Sequence, residues 1–148
     1  MIKDQKEIEN LRKEWSGVRN IQAKIQRHLN VGSVGAIGGV GSTHELRNIS
    51  HNLTLLFAFS VLEGALKQMH IEGVFKADNT RVGTLMYASQ KVISWRNFSL
   101  VDQARKDRNK IAHDQEIFGR EKCWSYLDAI EAELVAWQVV SAPIPFRH

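Results

Sequence analysis

The positions of the prolines constrain this chain more than any other feature of its sequence. Proline interrupts a helix because it lacks a backbone N–H and its ring clashes with the preceding turn. The 148-residue sequence has two prolines, Pro143 and Pro145, and both lie among the last six residues. Everything before them is therefore free to be helical, and no alternating apolar–polar run of strand length competes with helix formation.

Apolar residues recur at spacings of three and four, which is typical of amphipathic helices. The first such pattern predicts a long helix over about 4–29. Its stripe consists of Ile8, Leu11, Trp15, Val18, Ile21, Ile25 and Leu29. Glycines are concentrated in 31–41, and this segment predicts a connecting loop because each glycine destabilises a helix by about 1 kcal/mol relative to alanine.

The rest of the chain predicts a helical core over 43–140, followed by a short tail over 141–148. The apolar run 53–66 predicts a central helix and is shorter than the roughly 18 apolar residues of a membrane span. Further helices are expected at about 82–95, 99–112 and 120–140, with Ser99 and Asp102 in the spacing of a helix-capping pair. We therefore predict one domain with an all-α fold, a bundle of four or five helices.

Several classes of site are excluded by residues that are missing from the required positions. Cys123 is the only cysteine, which rules out an intrachain disulfide and a cysteine-based zinc cage. His44 and Glu45 begin a zinc-protease pattern, but Asn48 stands where the second histidine is required. His44 and His51 are seven residues apart, on one helix face, with no further ligand evident. We expect no metal and no other cofactor.

The glycine-rich segment also lacks the lysine that ends a phosphate-binding loop. Backbone amides at the start of the second helix remain a possible phosphate site. The amino terminus is charged from its first residues and no apolar signal core follows. We expect a cytoplasmic protein without a membrane partner.

The positive charge of the chain is concentrated in one segment. The net charge is +4, and the excess of bases over acids is largest over 96–113. The bases there are Arg96, Arg105, Lys106, Arg108 and Lys110, and the acids are Asp102 and Asp107. Such a segment permits a polyanionic partner such as RNA, although a solvated helix face has the same composition.

The same segment contains the sequence Arg108-Asn109-Lys110-Ile111-Ala112-His113. It resembles the R-x4-6-H motif of the HEPN superfamily, the "higher eukaryotes and prokaryotes nucleotide-binding" domains. Those domains are small all-α bundles in which the motif lies near a helix end, before a turn and a last amphipathic helix. The predicted architecture over about 43–140 is similar, and the segment around Glu63 is similar to the second major helix of the family.

The resemblance implies a metal-independent endoribonuclease, a toxin of a toxin–antitoxin or phage-defence system. Arg108 and His113 would be its catalytic pair, with Asn109 and Glu63 in supporting roles. The expected RNA-binding residues are Arg105, Lys106 and Lys110. The expected partners are RNA, a second copy of the chain, because HEPN nucleases form a composite dimeric site, and a cognate antitoxin protein.

The residue types suit this chemistry. Metal-free RNA cleavage uses the 2′-hydroxyl as nucleophile, and histidine transfers protons near neutral pH. Arginine binds two oxygens of the phosphorane as negative charge grows there. Arg108 and His113 are five residues apart and therefore about 140° apart around a helix axis. One chain does not bring them together, whereas two chains related by a two-fold axis would pool both pairs.

One position departs from the family pattern. HEPN toxins paired with nucleotidyltransferase antitoxins carry tyrosine two residues after the motif histidine, and this chain has Gln115 there. Inactivation by modification of that tyrosine is therefore not expected. The alternative to an enzyme is a non-catalytic HEPN-like helical scaffold that binds a protein or nucleotide partner.

Overall fold

The structure, a computed structural model, describes residues 1–29 and 40–142, with side chains described for 1–27 and 47–142. These residues form five α-helices and no strand. The helices are α1 (Gln5–Lys24), α2 (Val40–Ile71), α3 (Val82–Gln90), α4 (Phe98–Asp114) and α5 (Arg120–Ala136). The predicted all-α bundle is confirmed. Most of the predicted glycine-rich loop and most of the predicted tail lie outside the described residues.

Helix α2 is the centre of the bundle and contacts the other four α-helices. Its buried apolar residues surround much of its circumference: Leu55, Ala58, Phe59, Val61, Leu62, Ala65, Leu66 and Met69. Within α2, Arg47–Ile71 is the one stretch of the described chain that is long and apolar enough to cross a membrane by length and composition. More than half of that stretch is buried inside the fold, as in a core helix.

Helix α1 packs along α2 and buries the first four residues of the predicted stripe, Ile8, Leu11, Trp15 and Val18. Ile21, which the same pattern placed on the buried face, is 39% exposed. Asp4 caps its first turn by accepting the backbone N–H of Lys6 at 3.0 Å. Beyond Lys24 the chain continues as a π-helical turn, Ile25–Leu29, instead of the regular α-helix predicted to residue 29. Arg19 joins α1 to α5 through an ion pair of 2.9 Å with Glu131.

The start of α4 differs from the prediction. Asn97, and not Ser99, is the cap, and its side chain accepts the backbone N–H of Leu100 at 3.2 Å. Asp102 is buried and accepts a hydrogen bond of 3.1 Å from the Tyr87 hydroxyl of α3. Its carboxylate is occupied by tertiary contacts, so it does not cap the helix.

The end of α4 is formed by Gln115, which adopts the left-handed conformation with φ of 56°. The backbone N–H groups of Gln115 and Glu116 both donate to the carbonyl of Lys110, that of Glu116 at 3.2 Å, so this carbonyl at the helix end keeps hydrogen-bond partners. The helix is longer than the predicted 99–112, and its last turn includes His113.

Helices α3 and α5 are shorter than predicted, ending at Gln90 and Ala136 instead of near 95 and 140. The segment between α3 and α4 is held by Glu133 of α5, whose side chain is completely buried. Its carboxylate accepts the backbone N–H groups of Arg96 at 2.6 Å and Asn97 at 2.9 Å. This contact sets where α4 begins and in which direction it runs.

Candidate functional site

Arg108 is half-buried and packs against α2. Its guanidinium carbon lies 5.2 Å from the centre of the Phe59 ring on α2. Its Nε atom is buried and has no hydrogen-bond partner within the described part of the chain. Burial lowers the pKa of Arg108 from its ordinary value, the nearby Glu63 carboxylate opposes this, and Arg105 adds to it. The side chain stays positively charged because the guanidinium of arginine is not deprotonated in proteins.

The other bases of α4 are neutralised by carboxylates on the same helix. Arg105 pairs with Asp102 at 2.9 Å and Lys106 pairs with it at 3.5 Å. Lys110 lies 3.9 Å from Asp107. Arg108 is the one lysine or arginine of this fully described helix without an ion pair. All three predicted RNA-binding residues therefore have an ion pair, whereas the predicted catalytic arginine has none.

Glu63 lies on the side of α2 that faces α4. It is one turn beyond Phe59, and its carboxylate is close enough to act electrostatically on Arg108. Its ion pair is with Lys67, at 3.3 Å, one turn further along α2. The structure therefore brings Glu63 and Arg108 together, although they lie far apart in sequence.

Within one chain, the fold does not place His113 next to Arg108. It is exposed in the last turn of α4, and Asn109 is half-buried one turn before it. Five residues of helix separate Arg108 and His113 by about 7.5 Å along the axis and 140° around it. In the described part of the chain neither the His113 nor the Asn109 side chain has a hydrogen-bond partner.

Asp107, which is 1% exposed, fixes the orientation of α4 against α5. Its carboxylate accepts hydrogen bonds from the Tyr126 hydroxyl and, at 3.1 Å, from Gln103. Lys122 Nζ lies 3.3 Å away. Burial alone would raise the pKa of Asp107, but Tyr126, Lys122 and Gln103 outweigh it and hold that pKa below its ordinary value. These contacts of Asp107 fix the rotation of α4 about its axis, and that rotation turns Arg108 toward α2.

A second polar group, His51 of α2, was not predicted in its observed role. It is 1% exposed and lies edge-on to Trp124, with ring centres 4.6 Å apart. Neither ring nitrogen has a hydrogen-bond partner within the described residues. Burial, with the charges of Arg120 and Arg47, lowers the pKa of His51 to about 4.

The sequence suggested His51 only as a metal ligand together with His44, whose side chain lies outside the described ones. The signal that would have found its burial is helical spacing, because His51 is one turn before the buried Leu55. Across the described residues, no three His, Cys, Asp or Glu side chains come together in a group that would hold a metal ion.

Comparison with known proteins returned no match to a family model, to a curated protein or to a solved structure. The candidate site therefore depends on the contacts described above.

Proposed function

We propose that this protein is a metal-independent endoribonuclease in which Arg108 and His113 act on the RNA backbone. The observation that carries the proposal is the state of Arg108. Its guanidinium is positioned by the Phe59 ring and has no ion pair, although Glu63 acts on it electrostatically, while the neighbouring bases of α4 are paired. A positioned guanidinium without an ion pair is suited to bind a phosphate.

Side chains of the protein can supply every group that the proposed reaction requires. The 2′-oxygen of one nucleotide attacks its own phosphorus, and the bond from phosphorus to the 5′-oxygen of the next nucleotide breaks. The products are a 2′,3′-cyclic phosphate and a 5′-hydroxyl. His113 takes the proton of the 2′-hydroxyl or delivers one to the leaving oxygen, and Arg108 stabilises the charge on the phosphorane.

The separation of Arg108 and His113 on α4 makes the proposed site composite. Two copies related by a two-fold axis near the carboxyl end of α4 would place Arg108 of one chain near His113 of the other. The similarity of RNKIAH to the HEPN motif supports the same arrangement and extends the proposal to a toxin held in check by a cognate antitoxin protein.

The test is cleavage of a structured RNA in EDTA by the purified full-length chain. We expect cleavage to leave 2′,3′-cyclic phosphate ends and to spare DNA, which has no 2′-hydroxyl. His113→Ala should abolish cleavage, and Arg108→Ala should reduce it about 100- to 1,000-fold, as for loss of an oxyanion donor. Arg108→Lys should rescue poorly because an ammonium does not make the planar two-point contact.

The matched control is Arg81→Ala, which removes an exposed arginine at the start of α3 and should leave the rate unchanged. Asn109→Ala should have a smaller effect than either catalytic variant. Intact RNA under these conditions, or a His113→Ala variant as fast as the parent, would show that RNKIAH is only a helix end.

A second candidate function, a helical scaffold that binds another protein, is favoured by an exposed apolar stripe on α2. Ile49, Leu53 and Phe57 are one turn apart and 42%, 48% and 54% exposed. Phe57 lies about 160° around α2 from Phe59, so this stripe faces away from Arg108. Association through it would not assemble the composite site.

A further inference from the structure

A cleft of about 580 Å³ lies between α2 and the amino end of α5. That volume is within the range of small-molecule sites. Its lining includes three bases, Arg47, Arg120 and Lys122, one exposed acid, Glu121, and the buried His51. The described residues of the lining therefore carry a net positive charge, and none of them belongs to the Arg108–His113 site.

The amino end of α5 points its backbone into this cleft. The helix is 17 residues long, its N-cap is Gly119, and no side chain caps it. The N–H groups of a first helical turn have no partner within the helix, and the helix dipole adds partial positive charge there. Together they form a common binding site for phosphate groups.

Asn52 holds this helix end in place on α2. Its side-chain amide donates to the carbonyl of Phe118 at 2.8 Å and accepts the backbone N–H of Phe118 at 3.0 Å. Since Phe118 immediately precedes the N-cap, the first turn of α5 has a fixed position relative to the neighbouring His51.

His51 is the independent observation that points to a ligand. It lines the cleft, yet it is 1% exposed and both of its ring nitrogens lack a hydrogen-bond partner among the described residues. Buried polar groups are nearly always hydrogen-bonded, because leaving one unsatisfied is costly. A neutral imidazole carries one N–H donor, and an anion in the cleft would accept it.

We infer that this cleft binds a phosphate group through the first-turn N–H groups of α5, the Arg120 guanidinium and an N–H of His51. Lys122 is shared with Asp107 at 3.3 Å, whereas the exposed Arg120 has no ion pair with another described residue. The phosphate belongs either to a small phosphorylated molecule or to an RNA backbone. The inference goes beyond the proposed nuclease activity and does not depend on it.

The first test is a titration of the full chain with inorganic phosphate, followed by NMR and compared with chloride at the same ionic strength. We expect saturable shifts at the backbone amides of Arg120, Glu121 and Lys122 and at the His51 ring. Shifts that chloride reproduces, or that spread over exposed bases elsewhere, would overturn the assignment.

Two variants separate a ligand-binding role from a structural one. Arg120→Gln should weaken phosphate binding about tenfold, as expected for one charge-assisted hydrogen bond. The matched control is Arg96→Gln, which changes an exposed arginine and should bind phosphate as the parent does. Arg96 lies beside Glu133, and Glu133 is thirteen residues and about 20 Å from Arg120 along α5.

His51→Phe preserves the ring contact with Trp124 and should fold, yet lose phosphate binding. Unchanged affinity in folded His51→Phe would contradict the inference.

Two further probes distinguish the sources of the phosphate. Adenosine 5′-monophosphate, with adenosine as its control, tests a terminal phosphate, and an RNA oligonucleotide without terminal phosphates tests a backbone phosphodiester. The probe whose affinity is lower for Arg120→Gln than for the parent identifies which kind of phosphate the cleft binds. If none of the three probes shifts the first-turn amides of α5, the cleft is not a phosphate site.

Discussion

The guanidinium carbon of Arg108 lies 5.2 Å from the centre of the Phe59 ring, and this contact holds a charge that no carboxylate of α4 neutralises. A cation over an aromatic face gains about 0.5–2 kcal/mol. Phe59→Leu keeps an apolar side chain in the core but removes that face. We expect RNA cleavage to fall about tenfold, which corresponds to about 1.4 kcal/mol, as measured by single-turnover kinetics.

Phe75→Leu is the matched control, because Phe75 is also buried in the core but has no contact with Arg108. Urea unfolding should show a similar loss of stability in both variants, while the cleavage rate falls only in Phe59→Leu. Equal rates in the two variants would show that Phe59 does not position the guanidinium.

The buried His51 should make stability depend on pH in a defined window. Its pKa is about 4 in the folded protein and 6.5 is its ordinary value, so the unfolded chain binds more protons between these values. The free energy of unfolding should therefore rise by about 3 kcal/mol as the pH increases from about 4 to 6.5. His51→Phe should lose most of this slope, measured by urea unfolding across that range, and an unchanged slope in the variant would contradict the prediction.

Asp107 should control stability on the acid side of that window. Its folded pKa lies below the ordinary value of 3.8, so its contribution is complete at neutral pH and is lost as the pH falls below about 4. Asp107→Asn should lower the free energy of unfolding at neutral pH by about 3 kcal/mol, because it removes one partner of a buried pair.

Asp128→Asn is the control for that measurement. Asp128 also pairs with a base, Arg19, but its side chain is 72% exposed. Exposed ion pairs contribute little, so this variant should differ from the parent by no more than about 0.5 kcal/mol. Comparable losses in the two variants would mean that burial of Asp107 is not what makes its contacts strong.

The two candidate functions predict association through different surfaces. If the site is composite, Ala112→Arg, which adds bulk and charge at an exposed position beside His113, should convert a dimer to monomers and abolish cleavage. Phe57→Ser should leave the dimer intact, since Phe57 faces away from α4. Sedimentation velocity on both variants decides this, and dissociation by Phe57→Ser alone would favour the scaffold function.

Local patterns in the sequence were sufficient to predict the helices. The stripe Ile8, Leu11, Trp15 and Val18 is buried as its spacing predicts, and the segment RNKIAH lies at the end of α4. These predictions succeed because a helix satisfies its own backbone and needs only one apolar face to find its place.

Contacts between distant residues were not predictable in the same way. Asp102 has the spacing of a cap, but Tyr87 and Arg105 occupy its carboxylate, and Asn97 caps α4 instead. From its sequence position, Glu133 would be expected on the exposed face of a helix. It is instead completely buried and accepts the backbone N–H of Arg96. Tyr87 and the backbone of Arg96 lie on other elements of the fold than the carboxylates they contact, so no local pattern encodes these two contacts.

The clamp between Asn52 and Phe118 has a consequence for the order in which the chain assembles. The two residues are 66 positions apart, and the segment between them contains α3 and α4. Forming this contact therefore closes a loop that includes both helices. The entropy lost in closing such a loop grows with the logarithm of its length, and contacts of this range slow folding compared with those between neighbouring helices. The pairing of α2 with α5 is therefore expected late in folding, and the cleft beside His51 exists only once that pairing is complete.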